Sequence, residues 1–412
     1  MNDSRQILET AFARFNQRNI PQAEALCRLV ISKGEELPDA YSLLGLISLS
    51  IGLPGYAVHQ FRKALELKPS LALAKKNLKI ATKAARKKPR PKRGNRFLLI
   101  KAWGFGFWAD VDHVLGQLLL AEMTGRTPVV HWGKNSLYNN GTCTNAFELY
   151  FDPVSDCTID NLTTGSRSCF PPKWNQYNLQ LNEKNKLAGE FSRMAALYSL
   201  ARDEDVVVSD FHTYVSDLVP WIDARGPLSG MDAQAIYRYL FRKYLRPKAD
   251  IRAEIDQYWS DQLKDRRVLA VHVRGSDKIS ESLNLKDINT RYGPHIEKRL
   301  ASDPDMALFL LTDSTTILEE YRQKYGERLL YSDCFRTESG VGIHHHRHDD
   351  RRRIGIEIIK DTCLASRCDV FIGHGETNVS TTVLHLKDWQ PDDYVLLTDN
   401  QLYQPHLFLH KR

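Results

Sequence analysis

From Arg267 onward, apolar runs of strand type alternate with helical segments, and this alternation restricts the fold more than any other feature of the chain. The strand-type runs are RVLAVHV (267–273), ALFLLTD (307–313), LLYSD (329–333), DVFIGH (369–374) and YVLLTD (394–399). Between them lie a helix near Arg291 to Leu300 and the helical stretches TTILEEYRQKYG, IGIEIIKDTCLASR and TNVSTTVLHL. Parallel strands need such crossovers, so a parallel sheet covered on both faces is expected. A second βαβ opening occurs earlier: strand RFLLIKAW, glycine-bearing turn GFGFWADVDH, helix HVLGQLLLAEMTG ended by Gly125, and strand TPVVHW. Residues 133–260 are rich in aromatic and turn residues and give no clear element. Two Rossmann-like units in one chain imply a cleft between them, in an α/β protein with boundaries at 97–260 and 261–412.

Residues 1–88 read as helices throughout, and they repeat. Tyr41, Leu44, Gly45, Ala57, Phe61, Ala64 and Pro69 follow the tetratricopeptide (TPR) pattern, with small residues where paired helices cross and larger ones filling the gap. Ala23 and Cys27 fall in register with Ala57 and Phe61, and SLALAKKNLKIATKAARK supplies a capping helix. An array this short buries little core alone, so it should lean on the next domain or on another copy. Such a module is expected to bind a partner protein or mediate self-association. Residues 89–96 form a basic linker whose Pro89, Pro91 and Gly94 cannot continue a helix.

The 412 residues, 42% of them hydrophobic, can bury one large core or several ordinary ones. No apolar run reaches the roughly 20 residues that span a bilayer, and MNDSRQILETAF lacks the pattern of a secretory signal. Seven cysteines without a paired spacing motif argue against a disulfide framework, and Cys363 and Cys368 read as packing residues. A cytoplasmic setting is expected. The net charge of +7 concentrates in Lys83 to Arg96, but no aromatic residue is interleaved there to stack on bases, so no nucleic-acid partner is expected.

Three turns at carboxyl ends of the second set of strands gather polar groups: Arg274 to Lys278, Thr312 with Asp313, and His374 to Asn378. Ligands of open parallel sheets bind at such ends. An arginine, carboxylates and a hydroxyl-bearing turn feeding a helix suit a phosphate-bearing ligand such as a nucleotide. Neither GxxxxGK[ST] nor GxGxxG is present, which disfavours a P-loop kinase or a dinucleotide dehydrogenase. Adjacent histidines in GIHHHRHDDRRR do not by themselves build a closed metal site, so no metal is assigned; this stretch reads either as a solvated basic loop or as a contact to nucleotide.

VHVRGSDK, LFLLTDS and RRIGIEIIKDTCLASRCDVFIGHGETNVSTTV, preceded by YLRPKADIRAEIDQYW and GFGFWADVDHVLGQLLLAEMTGRTPVV, resemble the ordered blocks of the α1,6-fucosyltransferase superfamily. That superfamily includes animal core and rhizobial nodulation fucosyltransferases, with protein O-fucosyltransferases as distant relatives. The resemblance covers roughly residues 96–400. It implies a GT-B fold, two Rossmann-like domains facing a cleft, and metal-independent inverting transfer of fucose from GDP-fucose, with no cofactor, to a glycan or protein acceptor. Arg274 matches the family arginine that grips the pyrophosphate, with Asp277 and Lys278 beside it; on an open rim it should contribute little to packing. His272 and Asp361 match positions that recognise guanine. Thr377, Asn378 and Val379 match the turn that cradles the β-phosphate, though the same residues read equally as a helix cap. Gly104, Phe105 and Gly106 match the first-domain turn facing the donor sugar, with His113 a little further along the chain.

Two departures stand out. Core enzymes carry a second arginine where this chain has Gly275, which leaves Lys278 or Arg336 to supply the missing charge. The family glutamate proposed as general base falls at Ser282, which leaves Glu281 or Asp313 as candidates for that role. Two other readings therefore stand beside fucosyl transfer: another GDP-sugar as donor, or a TPR scaffold that binds nucleotide without catalysis.

Overall fold

The computed structural model describes residues 2–32, 37–87, 96–181, 193–210, 212–222, 226–275, 285–338 and 350–398. Five helices come first: α1 (Asn2–Asn16), α2 (Ile20–Ser32), α3 (Pro38–Ser50), α4 (Pro54–Leu67) and α5 (Ala72–Lys87). Proline opens both α3 and α4, where a missing N–H costs nothing. Gly45 lies directly beneath the Phe61 ring, and a Cβ there would sit 2.6 Å from a ring carbon. Only glycine lets α3 and α4 cross this closely. The module leans on the domain that follows: Ile51 and Leu53 join its core, Tyr56 meets Trp221 edge-on at 5.4 Å, and Arg28 lies 5.1 Å from that indole.

The first sheet contains β1 (Phe97–Lys101), β2 (Thr127–His131), β3 (Cys169–Phe170) and β4 (Val206–Val208), ordered β2-β1-β4-β3 and parallel throughout. Between β1 and β2 runs α6 (Phe107–Thr124), closed by Gly125 in the left-handed conformation with φ of 62°. The glycine turn is thus shorter than the sequence suggests, because Trp108 to His113 already belong to the helix. Residues 133–260 are less irregular than expected. They supply β3 and β4, the short helices α7 (Ile159–Thr163), α8 (Arg193–Ser199) and α9 (Val215–Leu218), and the longer α10 (Ala233–Tyr244) and α11 (Ala249–Tyr258).

The second sheet contains β5 (Val268–Val273), β6 (Ala307–Thr312), β7 (Leu329–Leu330), β8 (Val370–His374) and β9 (Tyr394–Leu397), ordered β7-β6-β5-β8-β9 and again all parallel. Every residue of β5, β6 and β8 is buried, as expected of central strands covered on both faces. The crossovers are α12 (Leu285–Thr290), α13 (Tyr292–Ser302), α14 (Thr315–Tyr325), α15 (Arg351–Arg367) and α16 (Asn378–Leu386). Strand order reverses direction at β5 and β8, the switch point where a ligand cleft forms. Two parallel α/β units behind a helical module make the GT-B type of arrangement. The seven cysteines form no disulfide, and no helix among the described residues is long and apolar enough to cross a membrane.

The two α/β units are joined through α15. Arg351 Nη1 donates to Leu137 O at 2.9 Å, Arg352 Nε to Leu149 O at 3.2 Å, and Arg353 Nη1 binds the Glu254 carboxylate at 2.8 Å. Arg352 also pairs with Asp250 at 2.6 Å. Gly355 then lies against Tyr150, leaving no room for a Cβ, which would meet the ring at 2.3 Å. These arginines, read from sequence as part of a solvated or nucleotide-facing loop, are inter-domain anchors.

Candidate functional site

The carboxyl ends of β5 and β6 are fixed to each other by one carboxylate. Asp313 Oδ2 pairs with Arg274 Nη1 at 2.6 Å, while Asp313 Oδ1 accepts from the Gly275 N–H at 2.9 Å. Both side chains are largely removed from solvent, at 19% and 6% exposure. Arg274 is therefore not the lightly packed rim residue expected, and Asp313 spends its oxygens on holding it. Gly275 has no space for a side chain: a Cβ would lie 2.7 Å from Ser314 Cβ and 2.5 Å from Ile317 Cδ1.

One step along the sheet, His272 sits at the centre of a hydroxyl network. Its Nδ1 lies 2.7 Å from Ser380 Oγ and 3.4 Å from Thr377 Oγ1. Burial, reinforced by Arg274 and His374, lowers its pKa to about 3, so the ring is neutral. Ser380 Oγ also accepts from the His374 N–H at 3.1 Å, so this hydroxyl links the ends of β5 and β8. Thr377 caps α16 by accepting from the Ser380 N–H. Asn378 is exposed at the start of α16 and Val379 half-buried.

A cleft with a cavity of about 60 Å³ brings His272, Arg274, Asp313, Asp361, Thr362 and Val379 together. Asp361 is 8% exposed rather than solvent-facing, and it accepts from the Ser332 hydroxyl and, at 3.6 Å, from Cys334 Sγ. Burial raises its pKa against the opposing pull of Ser332, Lys360 and Arg336. Phe335 and Glu357 also line it. The Phe335 N–H donates to Glu357 Oε2 at 2.9 Å while its ring stays 39% exposed at the cleft. Arg336 directs its guanidinium to the carbonyls of Cys334 and Ser332, at 3.1 and 2.9 Å.

The first-domain turn is held from within. The N–H groups of Gly104 and Phe105 donate to the buried Asp110 carboxylate, at 3.1 and 3.2 Å, and Gly104 has φ of 82°. Gly106 differs. Its φ is −59°, which any residue adopts, and beyond its own chain neighbours no described atom lies within 4 Å of where a Cβ would be, so its lack of a side chain keeps space open. His113 does not reach the cleft lining. It is fully buried, with Nε2 3.3 Å from Ser209 Oγ and its ring packed against Trp103 and His212 at 5.6 and 5.2 Å. Asp277, Lys278, Glu281 and the histidines at 344–348 lie outside the described residues.

This is an α/β protein of GT-B type, with a guanidinium and carboxyl groups gathered in a cleft at the strand ends. The sequence profile of nodulation protein Z (NodZ) matches residues 113–387, and the chain belongs to that family. Nodulation protein Z of Bradyrhizobium diazoefficiens is 26% identical over 284 residues, covering 65% of this chain and 72% of that protein. Its namesake in Sinorhizobium fredii is 24% identical over 314 residues, covering 71% and 91%. Among solved structures, NodZ α-1,6-fucosyltransferase soaked with GDP-fucose aligns with a TM-score of 0.49 at 19% identity, covering 71% of this chain and 93% of that one. POFUT1 in complex with GDP aligns with a TM-score of 0.44 at 14% identity, covering 75% and 99%.

Two predictions follow from this geometry. Gly275→Arg, which restores the family's second arginine, should destabilise the protein by about 1–3 kcal/mol and weaken GDP binding, because Ser314 must move. Calorimetric titration and thermal melting check this, and tighter GDP binding at an unchanged melting temperature contradicts it. The second concerns His385, whose ring stacks on Tyr237 at 3.7 Å and whose pKa burial lowers to about 3. The unfolded histidine, titrating near 6.5, binds a proton that the folded one refuses, so this contribution to stability falls as pH drops below about 6.5. Between pH 7 and 5 the wild type should lose up to about 2 kcal/mol more than His385→Phe, which keeps the stack but cannot titrate. Denaturant titrations at the two pH values measure the difference, and parallel losses would refute it.

Proposed function

We propose that this chain is an inverting fucosyltransferase that moves fucose from GDP-fucose to a glycan or protein acceptor. The observation that carries the reading is Arg274, a guanidinium immobilised by Asp313 at the end of a central strand, on a cleft shared with the buried Asp361 carboxyl. Family membership supports it, since NodZ is named an α-1,6-fucosyltransferase in the structure soaked with GDP-fucose. Guanine sits with its donor edge toward Asp361 and one face on the Phe335 ring, and the pyrophosphate lies between Arg274 and the amino end of α16. The neutral His272 ring lines the same cleft.

Inverting transfer breaks the bond between fucose C1 and the β-phosphate oxygen as the acceptor oxygen forms its bond from the opposite face. Negative charge then grows on the departing GDP. Arg274 is already oriented, so its contact strengthens as the charge develops, and one such donor lowers a barrier by about 3 kcal/mol. Asp313 orients Arg274 through one oxygen and holds the Gly275 N–H with the other. Glu281 is the base in this scheme. Arg274 and the α16 amides meet the phosphate charge, so neither a divalent ion nor another cofactor is required. Cysteines without disulfides fit a cytoplasmic enzyme, and the helical module presents an acceptor protein or self-associates in this reading.

Arg274→Ala should lower kcat/KM for GDP-fucose consumption by about two to three orders of magnitude. It also strands the buried Asp313 carboxylate, so it is paired with Arg274→Ala/Asp313→Asn, which removes that charge while leaving turnover equally low. Wild-type turnover in a folded version of either protein would place the active site elsewhere. Consumption of GDP-fucose should also persist in excess EDTA; activity that disappears and returns with manganese would overturn the metal-independent scheme.

A further inference from the structure

The helix that carries Asp361 is held from the other domain. Trp108, in the first turn of α6, donates its Nε1–H to Thr362 Oγ1 at 2.8 Å, across 254 positions of sequence. Both residues are buried, Trp108 at 3% and Thr362 at 0% exposure. Thr362 follows Asp361 directly and lines the same cleft. Its hydroxyl in turn donates to Ile358 O at 2.7 Å, so the indole proton is accepted by an oxygen whose own proton is already committed. The contact is therefore directional: the N–H can only point at Thr362, and Thr362 can only accept.

The rest of α6 strengthens this link. One turn after Trp108, Asp112 Oδ1 accepts from Tyr237 Oη at 2.6 Å, and the Tyr237 ring stacks on His385 at the end of α16. The helix after the first-domain glycine turn thus touches both α15, with its base-facing carboxyl, and α16, whose amino end faces the phosphates. We propose that Trp108 is a positioning residue for base selectivity: through Thr362 it sets where Asp361 stands in the cleft. Recognition of the purine is fixed in part from the acceptor-side domain. This rests on the reading of Asp361 as the guanine partner.

The test is isothermal titration of Trp108→Phe with GDP, inosine diphosphate, UDP and inorganic pyrophosphate. Phenylalanine keeps an aromatic ring but removes the donor together with part of the indole's bulk, so its result is read beside Thr362→Val, which keeps the volume and removes the acceptor. The expected result is an increase of about five- to tenfold in Kd for GDP, the effect of one lost buried hydrogen bond. The preference for GDP over inosine diphosphate, which lacks the 2-amino group, should narrow, while pyrophosphate affinity stays within about twofold because Arg274 and α16 are untouched. Thr362→Val should reproduce this pattern and keeps the test available if Trp108→Phe does not fold. The double variant should lose less than the sum of the two single ones, since they share one contact. A folded Trp108→Phe protein with wild-type Kd and base preference overturns the proposal, as does a loss shared equally by pyrophosphate. A wild type that binds GDP no better than UDP overturns instead the guanine reading beneath it.

Discussion

Asp313 bonds the ends of two central strands, and the geometry of the cleft depends on it. One oxygen holds the Arg274 guanidinium and the other the Gly275 amide, so β5 leaves the sheet in one direction with its cation aimed along the rim. Such a pair adds little net stability, because desolvating both charges offsets most of their attraction. Its effect is orientation. A guanidinium already stripped of much of its water and fixed in place reorganises little when a phosphate arrives, which is the condition under which an electrostatic contact lowers a barrier most.

Around this pair the two α/β units behave as one frame. Three consecutive arginines at the start of α15, the Gly355 contact with Tyr150 and the indole bond to Thr362 all join the helix that carries Asp361 to the first domain. The hydroxyl network of Thr377, Ser380 and His272 does for the other side of the cleft what Asp313 does for Arg274: it settles which atoms remain to face a ligand. With His272 neutral, the rim carries no second cation at this position beside Arg274.

Much of this was legible in the sequence wherever the signal is local. Alternating apolar runs foretold all five strands of the second sheet, and strand ends located Arg274, Asp313 and Thr377. Residues 133–260 were harder, because β4 is only Val206 to Val208 and β3 only Cys169 and Phe170, too short for any period to show. Pairings across the fold left no trace: nothing near Arg274 names Asp313 as its partner, and Trp108 and Thr362 are far apart in the chain. Arg351 to Arg353 look the same in sequence whether solvated or clamped. An exposed Phe335 beside a buried Asp361 becomes meaningful only once both line one cleft. His113 shows the converse, since its place on α6 fitted the resemblance while the fold buries it against Trp103 and His212.

The most direct measurement is a crystal structure of the complex with GDP. The account predicts the β-phosphate within hydrogen-bond reach of the Arg274 guanidinium and the amino end of α16, with the N1 and N2 edge of guanine on Asp361 and its face on Phe335. GDP bound away from this cleft, or bound in it with the base directed away from Asp361, would contradict the account.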